Sequence, residues 1–190
     1  MVAAESEREV VEACRRGDRD AFRALFVAHK DRVYSIALRF SGDEATAMDI
    51  TQDTFVKLFA CMAEFRGEAK FESWLYRLVV NCCLDHRRKA RRLVPLAESE
   101  IRRPFLSAEN PAAQAERSET SRRVQAAVAR LSPDLRLAIV LRYTEGLSYE
   151  EMAEVFGVSK GTVASRLSRA HKNLARRLSH LAKDWEMKDA

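Results

Sequence analysis

Breaks in helical pattern are scarce in this chain, and the strongest of them lie together. Only six Gly and four Pro occur in 190 residues, and Pro95, Pro104 and Pro111 all fall between residues 93 and 112. That is well below the usual ~7% Gly and ~5% Pro, too few for the many tight turns of a sandwich or barrel. On both sides of the Pro-containing stretch, apolar residues recur at helical spacing. The expected fold is therefore all-α, with two small helical domains, 1–92 and 113–190, joined by an extended linker at 93–112. Net charge follows the same division, +2, then −1 in the linker, then +4.

Several classes are excluded at once. The longest strictly apolar run, Leu58 to Ala63, is six residues, far short of a membrane span. The N-terminal MVAAESEREVVEA is acidic where a signal peptide needs a basic start and an apolar stretch, so a cytoplasmic protein is expected. Cys14, Cys61, Cys82 and Cys83 lack the paired spacing of a disulfide framework or zinc site. Cys82, Cys83 and His86 put three potential ligands in one neighbourhood, but free Cys more often packs as a small hydrophobe. No metal and no cofactor is expected. With no Ser/His/Asp set and no phosphate-cradling Gly loop, no catalytic residue is assigned and enzyme activity is not expected.

In the first half, Asp18 is a plausible N-cap for a helix carrying Phe22, Leu25, Phe26, Val33, Ile36 and Leu38. The next helix runs from Asp43 to about Cys61 and places Met48, Phe55, Leu58, Phe59 and Met62 along a broad inward face. Its other face holds Asp49, Gln52, Asp53 and Val56 at spacings of three and four. A short basic loop bracketed by aromatics, FRGEAKF at 65–71, leads to a helix from about Glu72 to Arg92. That helix ends in HRRKARR, whose cations suit the negative end of the helix dipole.

The second half holds the sharpest local signal. After a helix around Val124, Val128 and Leu131, Ser132-Pro133 opens the run DLRLAIVLRY, which Gly146 terminates. Then comes LSYEEMAEVFGVSKGTVASRLSRAHKNL. Ser148 and Glu151 have capping-box spacing, with Leu147 and Met152 as a staple. Gly157 stops that helix, and Ser159 caps the next, with Val158 and Val163 as a second staple. Two short helices across a Gly-containing turn make a helix-turn-helix. Val163, Leu167, Ala170 and Leu174 form one core stripe. Off it lie Lys160, Thr162, Ser165, Arg166, Arg169, Lys172 and Arg176, and from Ser159 to Arg177 there are six cations and no acid. Such a helix can enter a major groove. Gly161 inside it costs up to ~1 kcal/mol relative to Ala and would let the backbone approach a phosphate.

With these parts in place, the sequence resembles a bacterial RNA polymerase sigma factor of the extracytoplasmic-function (ECF) class, from about Val10 to Leu178. GDRDAFRALFVAHKDRVYSIAL, DITQDTFVKLF and FRGEAKFESWLYRLVVNCCLDHRR follow sigma region 2, and LSPDLRLAIVLRYTEGLSYEEMAEVFGVSKGTVASRLSRAHKNL follows region 4. A helix-turn-helix alone would fit a free-standing transcriptional repressor or activator equally well. Both regions in this order are far more specific.

The resemblance implies roles that spacing does not supply. Asp49, Gln52, Asp53 and Val56 correspond to the surface that docks on the clamp helices of core RNA polymerase. Arg66, Lys70 and Asn81, with Phe71 and Trp74 as apolar walls, correspond to the segment that captures the melted minus-ten promoter element. Without the resemblance both aromatics read as core residues. Arg87, Arg88, Lys89, Arg91 and Arg92 are expected on duplex phosphates upstream, as are Lys160 and Lys172 near the minus-thirty-five element. Thr162, Ser165, Arg166 and Arg169 are the base-reading candidates. Ala164 and Ser168 depart from the commoner bulky or cationic residues, which shifts recognition toward phosphates and DNA shape. The resemblance also implies an anti-sigma factor that masks polymerase-binding surfaces until a stress signal arrives.

Overall fold

The computed structural model describes residues 2–65, 67, 70–93 and 111–186, with side chains described from Glu7 to Ala90 and from Thr120 to Ser179 within those ranges. Arg66, most of the expected linker including Pro95 and Pro104, and the side chains of Arg91 and Arg92 lie outside the described residues. The described chain is helical throughout and contains no strand: α1 (Val2–Arg15), α2 (Arg19–Ser41), α3 (Glu44–Cys61), α4 (Phe71–Leu93), α5 (Pro111–Ala129), α6 (Pro133–Tyr143), α7 (Tyr149–Phe156) and α8 (Lys160–Glu186). A single 3-10 turn, Met62–Glu64, follows α3. Pro111 is the first residue of α5, a position where its missing N–H costs nothing.

Local chemistry sets the helix ends. Asp18 Oδ1 accepts from the backbone of Asp20 and Ala21, at 2.8 and 3.1 Å. Asp43 caps α3 through Thr46 N at 2.9 Å. At α7 the capping box closes in both directions: Glu151 N donates to Ser148 Oγ, and Ser148 N donates to Glu151 Oε2. Gly157 then adopts φ 63°, and Val158 N returns to Ala153 O at 3.0 Å. That left-handed residue turns the chain sharply enough for Ser159 to cap α8 through Thr162 N at 3.2 Å.

The first unit packs α2, α3 and α4 around Leu25, Ile36, Ile50, Leu58, Leu75 and Val79, all essentially inaccessible. The second packs α6, α7 and α8 around Leu137, Leu141, Met152, Val155, Val163 and Leu167. Helix α1 adds Val11 and Cys14 to the first core.

The broad inward face expected of α3 is only half correct. Phe55, Leu58 and Met62 are buried, but Met48 is 64% exposed and Phe59 59% exposed; Phe26 of α2 is also partly exposed. Helix α3 carries two apolar stripes. Ala47, Ile50, Thr54 and Leu58 face α2 and α4, and Thr54 satisfies its hydroxyl by donating to Ile50 O at 2.7 Å. Met48, Val56 and Phe59 face outward, because no described element covers that side.

The two units touch directly. Helix α4 lies against α7, and α2 against α6. Arg136, at the start of α6, is central to this contact. It donates to Phe40 O at 2.5 Å and to Ala129 O and Leu131 O, while its guanidinium lies 5.6 Å from the Phe40 ring centre. One cation thus serves carbonyls at the C-terminal ends of α2 and α5, which have no helical partners of their own. Burial, with Arg87 nearby, pushes its pKa down to about 10, so it remains charged.

Candidate functional site

Three faces gather the residues singled out from sequence. The first is on α3. Asp49, Gln52 and Val56 are exposed and Asp53 is half-buried. Asp53 Oδ2 meets His86 Nε2 of α4 at 2.9 Å. One turn on, Lys57 Nζ donates to Asp85 Oδ2 at 3.0 Å, and that hydrogen bond holds the Asp85 carboxyl below its usual range. Beside this acidic strip runs a groove of about 590 Å³ lined by Phe22, Phe26, Met48, Gln52, Val56 and Phe59, among others. Phe22 and Phe59 meet edge to face at 5.0 Å across it, Phe26 and Phe55 at 4.7 Å. The groove is the feature that periodicity missed. Its signal was the surplus of apolar residues on α3 beyond what one core stripe needs.

The second face is on α4. Phe71 is buried, stacked within a cluster of Phe65, Trp74 and His29 at centroid distances of 4.9 to 6.1 Å. It therefore forms the floor of this region, while Trp74 is half-buried above it and Asn81 is exposed. Lys70, Trp74, Arg77 and Asn81 follow one another at spacings of four, three and four, so they share a helix face. Arg77 was not singled out from sequence, though this spacing marks it. Arg87, Arg88 and Lys89 are exposed farther along, with Arg88 Nη1 3.1 Å from Asp85 Oδ1.

Cys82 and Cys83 do not join His86 in a site. Both thiols are buried and burial raises their pKa, Cys83 most strongly, while His86 is turned to Asp53. Among the described residues no group of three His, Cys, Asp or Glu could hold a metal ion, and no helix is long and apolar enough to cross a membrane.

The third face is the outer side of α8. Val163, Leu167 and Ala170 are buried, which leaves Ser165, Arg169 and Lys172 exposed and Thr162 and Arg166 half-buried. The Arg166 guanidinium stacks 5.1 Å from the Phe156 ring centre. Thr162 Oγ1 shares a hydrogen bond with Ser159 Oγ at 3.0 Å, Ser165 Oγ donates to Thr162 O, and Arg169 Nε to Ser165 O. Lys160 is paired with Glu150 at 2.8 Å.

The chain matches the family model for sigma-70 region 2 over residues 25–93 and that for sigma-70 region 4 over residues 121–174. It is 36% identical to the ECF RNA polymerase sigma factor SigM of Mycobacterium tuberculosis, covering 93% of this chain and 86% of that one. The chain belongs to the ECF sigma factors. It is also 32% identical to the RNA polymerase sigma-H factor of Pseudomonas aeruginosa, across 97% of its own length and all of that protein's. Among solved structures it resembles the sigma factor RpoE in complex with the anti-sigma factor NepR from Bartonella quintana. The TM-score is 0.67 at 27% identity, over 83% of this chain and 96% of that one. As a sigma factor, the protein binds DNA and directs transcription initiation by RNA polymerase.

Proposed function

We propose that this sigma factor divides its work among the three faces. The α3 strip of Asp49, Gln52, Asp53 and Val56, with the adjoining groove, docks core RNA polymerase. Acidic residues beside an apolar trough suit a partly basic helical partner, since complementary charge speeds encounter and fixes register. The segment from Arg66 to Asn81 captures the melted minus-ten strand, with Lys70 on the strand, Trp74 and the Phe71 floor as apolar surface, and Asn81 as a polar contact. Arg87, Arg88, Lys89, Arg91 and Arg92 hold duplex phosphates upstream. Thr162, Ser165, Arg166 and Arg169 read the minus-thirty-five element, flanked by Lys160 and Lys172 on phosphates. Residues 1–92 act as region 2, 93–112 as the linker and 113–190 as region 4. The protein acts in the cytoplasm, contributes no catalytic residue, and leaves polymerisation chemistry to the core enzyme. The anti-sigma partner of the Bartonella quintana relative supports control of the same kind here, under a stress signal.

The observation that carries this reading is the stripe of Lys70, Trp74, Arg77 and Asn81 on a unit separate from the helix-turn-helix. A free-standing repressor has no use for a cation–aromatic–amide face of that kind. Run-off transcription with purified core polymerase tests it. Addition of the protein should yield a promoter-dependent transcript; tight footprinting by the protein alone with no transcript would favour a repressor.

A further inference from the structure

The contact between the two units falls on the α4 face assigned above to the melted strand. Arg77 Nη2 donates to Glu154 O at 2.5 Å, a carbonyl in the last turn of α7, where the helix dipole is negative. Lys70 Nζ lies 3.7 Å from Glu151 Oε1. Both cations of the Lys70, Trp74, Arg77, Asn81 stripe are therefore engaged by oxygen acceptors of α7. These are the donors a strand phosphate would use.

Beside them sits a better-protected cluster. The Glu145 side chain, in the turn between α6 and α7, is only 5% exposed. Its Oε2 accepts from Tyr76 Oη and lies within 3.1 Å of Arg32 Nε, while Arg32 Nη1 also reaches Glu72 at 2.7 Å. Burial, then the Glu145 carboxylate, raises the Tyr76 phenol, so it stays a hydrogen-bond donor at any physiological pH. Arg32 lies 5.9 Å from the Tyr76 ring centre. A carboxylate this protected is costly to leave unpaired, whereas exposed pairs such as Lys70–Glu151 are weak. The cluster is thus the better-protected polar part of the contact, and the Lys70 pair beside it is the more exposed part.

We propose that α7 and the melted promoter strand hold Lys70 and Arg77 in alternation, with Arg32, Tyr76 and Glu145 as the latch of the closed form. Arg77 is thereby a strand-phosphate contact that becomes available only when the latch opens. This rests on the assignment of the α4 face to the minus-ten strand. The apparent affinity of the full chain for single-stranded DNA is then its intrinsic affinity reduced by the fraction of molecules that are open.

The test measures binding of a fluorescent 15-nucleotide mixed-sequence single strand to the full chain at fixed salt, by anisotropy. Arg32→Gln should raise affinity severalfold although it removes a positive charge; non-specific electrostatics alone predicts the reverse. Tyr76→Phe, which changes no charge and deletes only the hydroxyl, should act in the same direction. In either background Arg77→Ala should cost more affinity than it does in the parent chain. If neither latch variant raises affinity and Arg77→Ala costs the same in every background, the alternation is wrong while the strand assignment stands. If Lys70→Ala and Arg77→Ala are silent in every background, the strand assignment falls and the proposal with it.

Discussion

His86 and Asp53 meet across the contact between α4 and α3, imidazole Nε2 to carboxylate Oδ2 at 2.9 Å. Asp53 keeps 46% of its side chain exposed, so one carboxylate oxygen is anchored while the other side faces outward. Asp49, one turn back, is exposed. Reversing both charges, Asp49→Lys with Asp53→Lys, should weaken binding to core polymerase and leave the full chain's affinity for minus-thirty-five duplex DNA intact. Competition against a labelled sigma factor for limiting core reads the first effect and duplex titration the second. Unchanged core binding would remove these residues from the docking surface.

The groove beside that strip separates docking from folding. Val56 is 61% exposed, so Val56→Ser should change folding stability by no more than about 0.5 kcal/mol. If the trough seats a polymerase helix, the same change should cost about 1 kcal/mol or more of core binding. Denaturant melts paired with the competition assay give both numbers. A loss of binding that tracks a loss of stability would make Val56 a packing residue only.

Packing beneath the reading helix is the opposite case. Leu167 is buried between α8 and its neighbours, and Leu167→Ala should destabilise the fold by ~2 to 5 kcal/mol. Duplex DNA affinity should survive at temperatures where the variant remains folded. A variant as stable as the parent would show that this core tolerates a cavity without loss.

Acid sensitivity should appear at the α7 cap. Glu151 is held below its ordinary range chiefly by the Ser148 backbone N–H and then its hydroxyl, and Asp85 by Lys57. A carboxylate whose folded pKa lies below its unfolded one stabilises fully above the unfolded value, ~4.3 for Glu, and loses that contribution as pH falls through the folded value. The melting temperature should therefore drop on acidification below about pH 4.5. Glu151→Gln keeps a capping side chain but cannot titrate there, so its melting temperature should fall less steeply over the same range. Parallel curves for parent and variant would assign the acid loss elsewhere. Ser148→Ala should cost ~0.5 to 2 kcal/mol at neutral pH.

Local chemistry was the legible part of this molecule. Asp18, Ser148 with Glu151, Gly157 and Ser159 act within four residues of their partners, so their spacing alone announces the helix ends. Met48 and Phe59 show where periodicity stops: it marks a residue as apolar on a face, but not whether another element covers that face. Arg32, Tyr76 and Glu145 are far apart in sequence; the first two meet through the packing of α2 on α4, and Glu145 joins them only where the second unit packs against the first. Nothing in their local surroundings distinguishes them from other charged or aromatic residues on helices. Arg77 lies between these cases. Its place midway between Trp74 and Asn81 was visible, while its bond to Glu154 O needed the fold.

Arg169 offers the sharpest discrimination between reading and mere adhesion. It is exposed on α8, and its Nε now donates to Ser165 O at 3.3 Å, a long bond within its own helix that a base edge or phosphate can replace. If Arg169 reads a base, Arg169→Ala should cost ~1 to 3 kcal/mol at a preferred minus-thirty-five sequence and relax specificity at one position. If it holds a phosphate, the loss should be uniform across sequences and the salt dependence should shallow by about one unit in its logarithmic slope. Duplex titrations on a preferred sequence and its single-base variants, at two or more salt concentrations, separate the outcomes. With Ala164 and Ser168 supplying little on the same surface, the loss at Arg169 also measures how much direct reading α8 performs. No loss on any sequence would place recognition on Thr162, Ser165 and Arg166 alone.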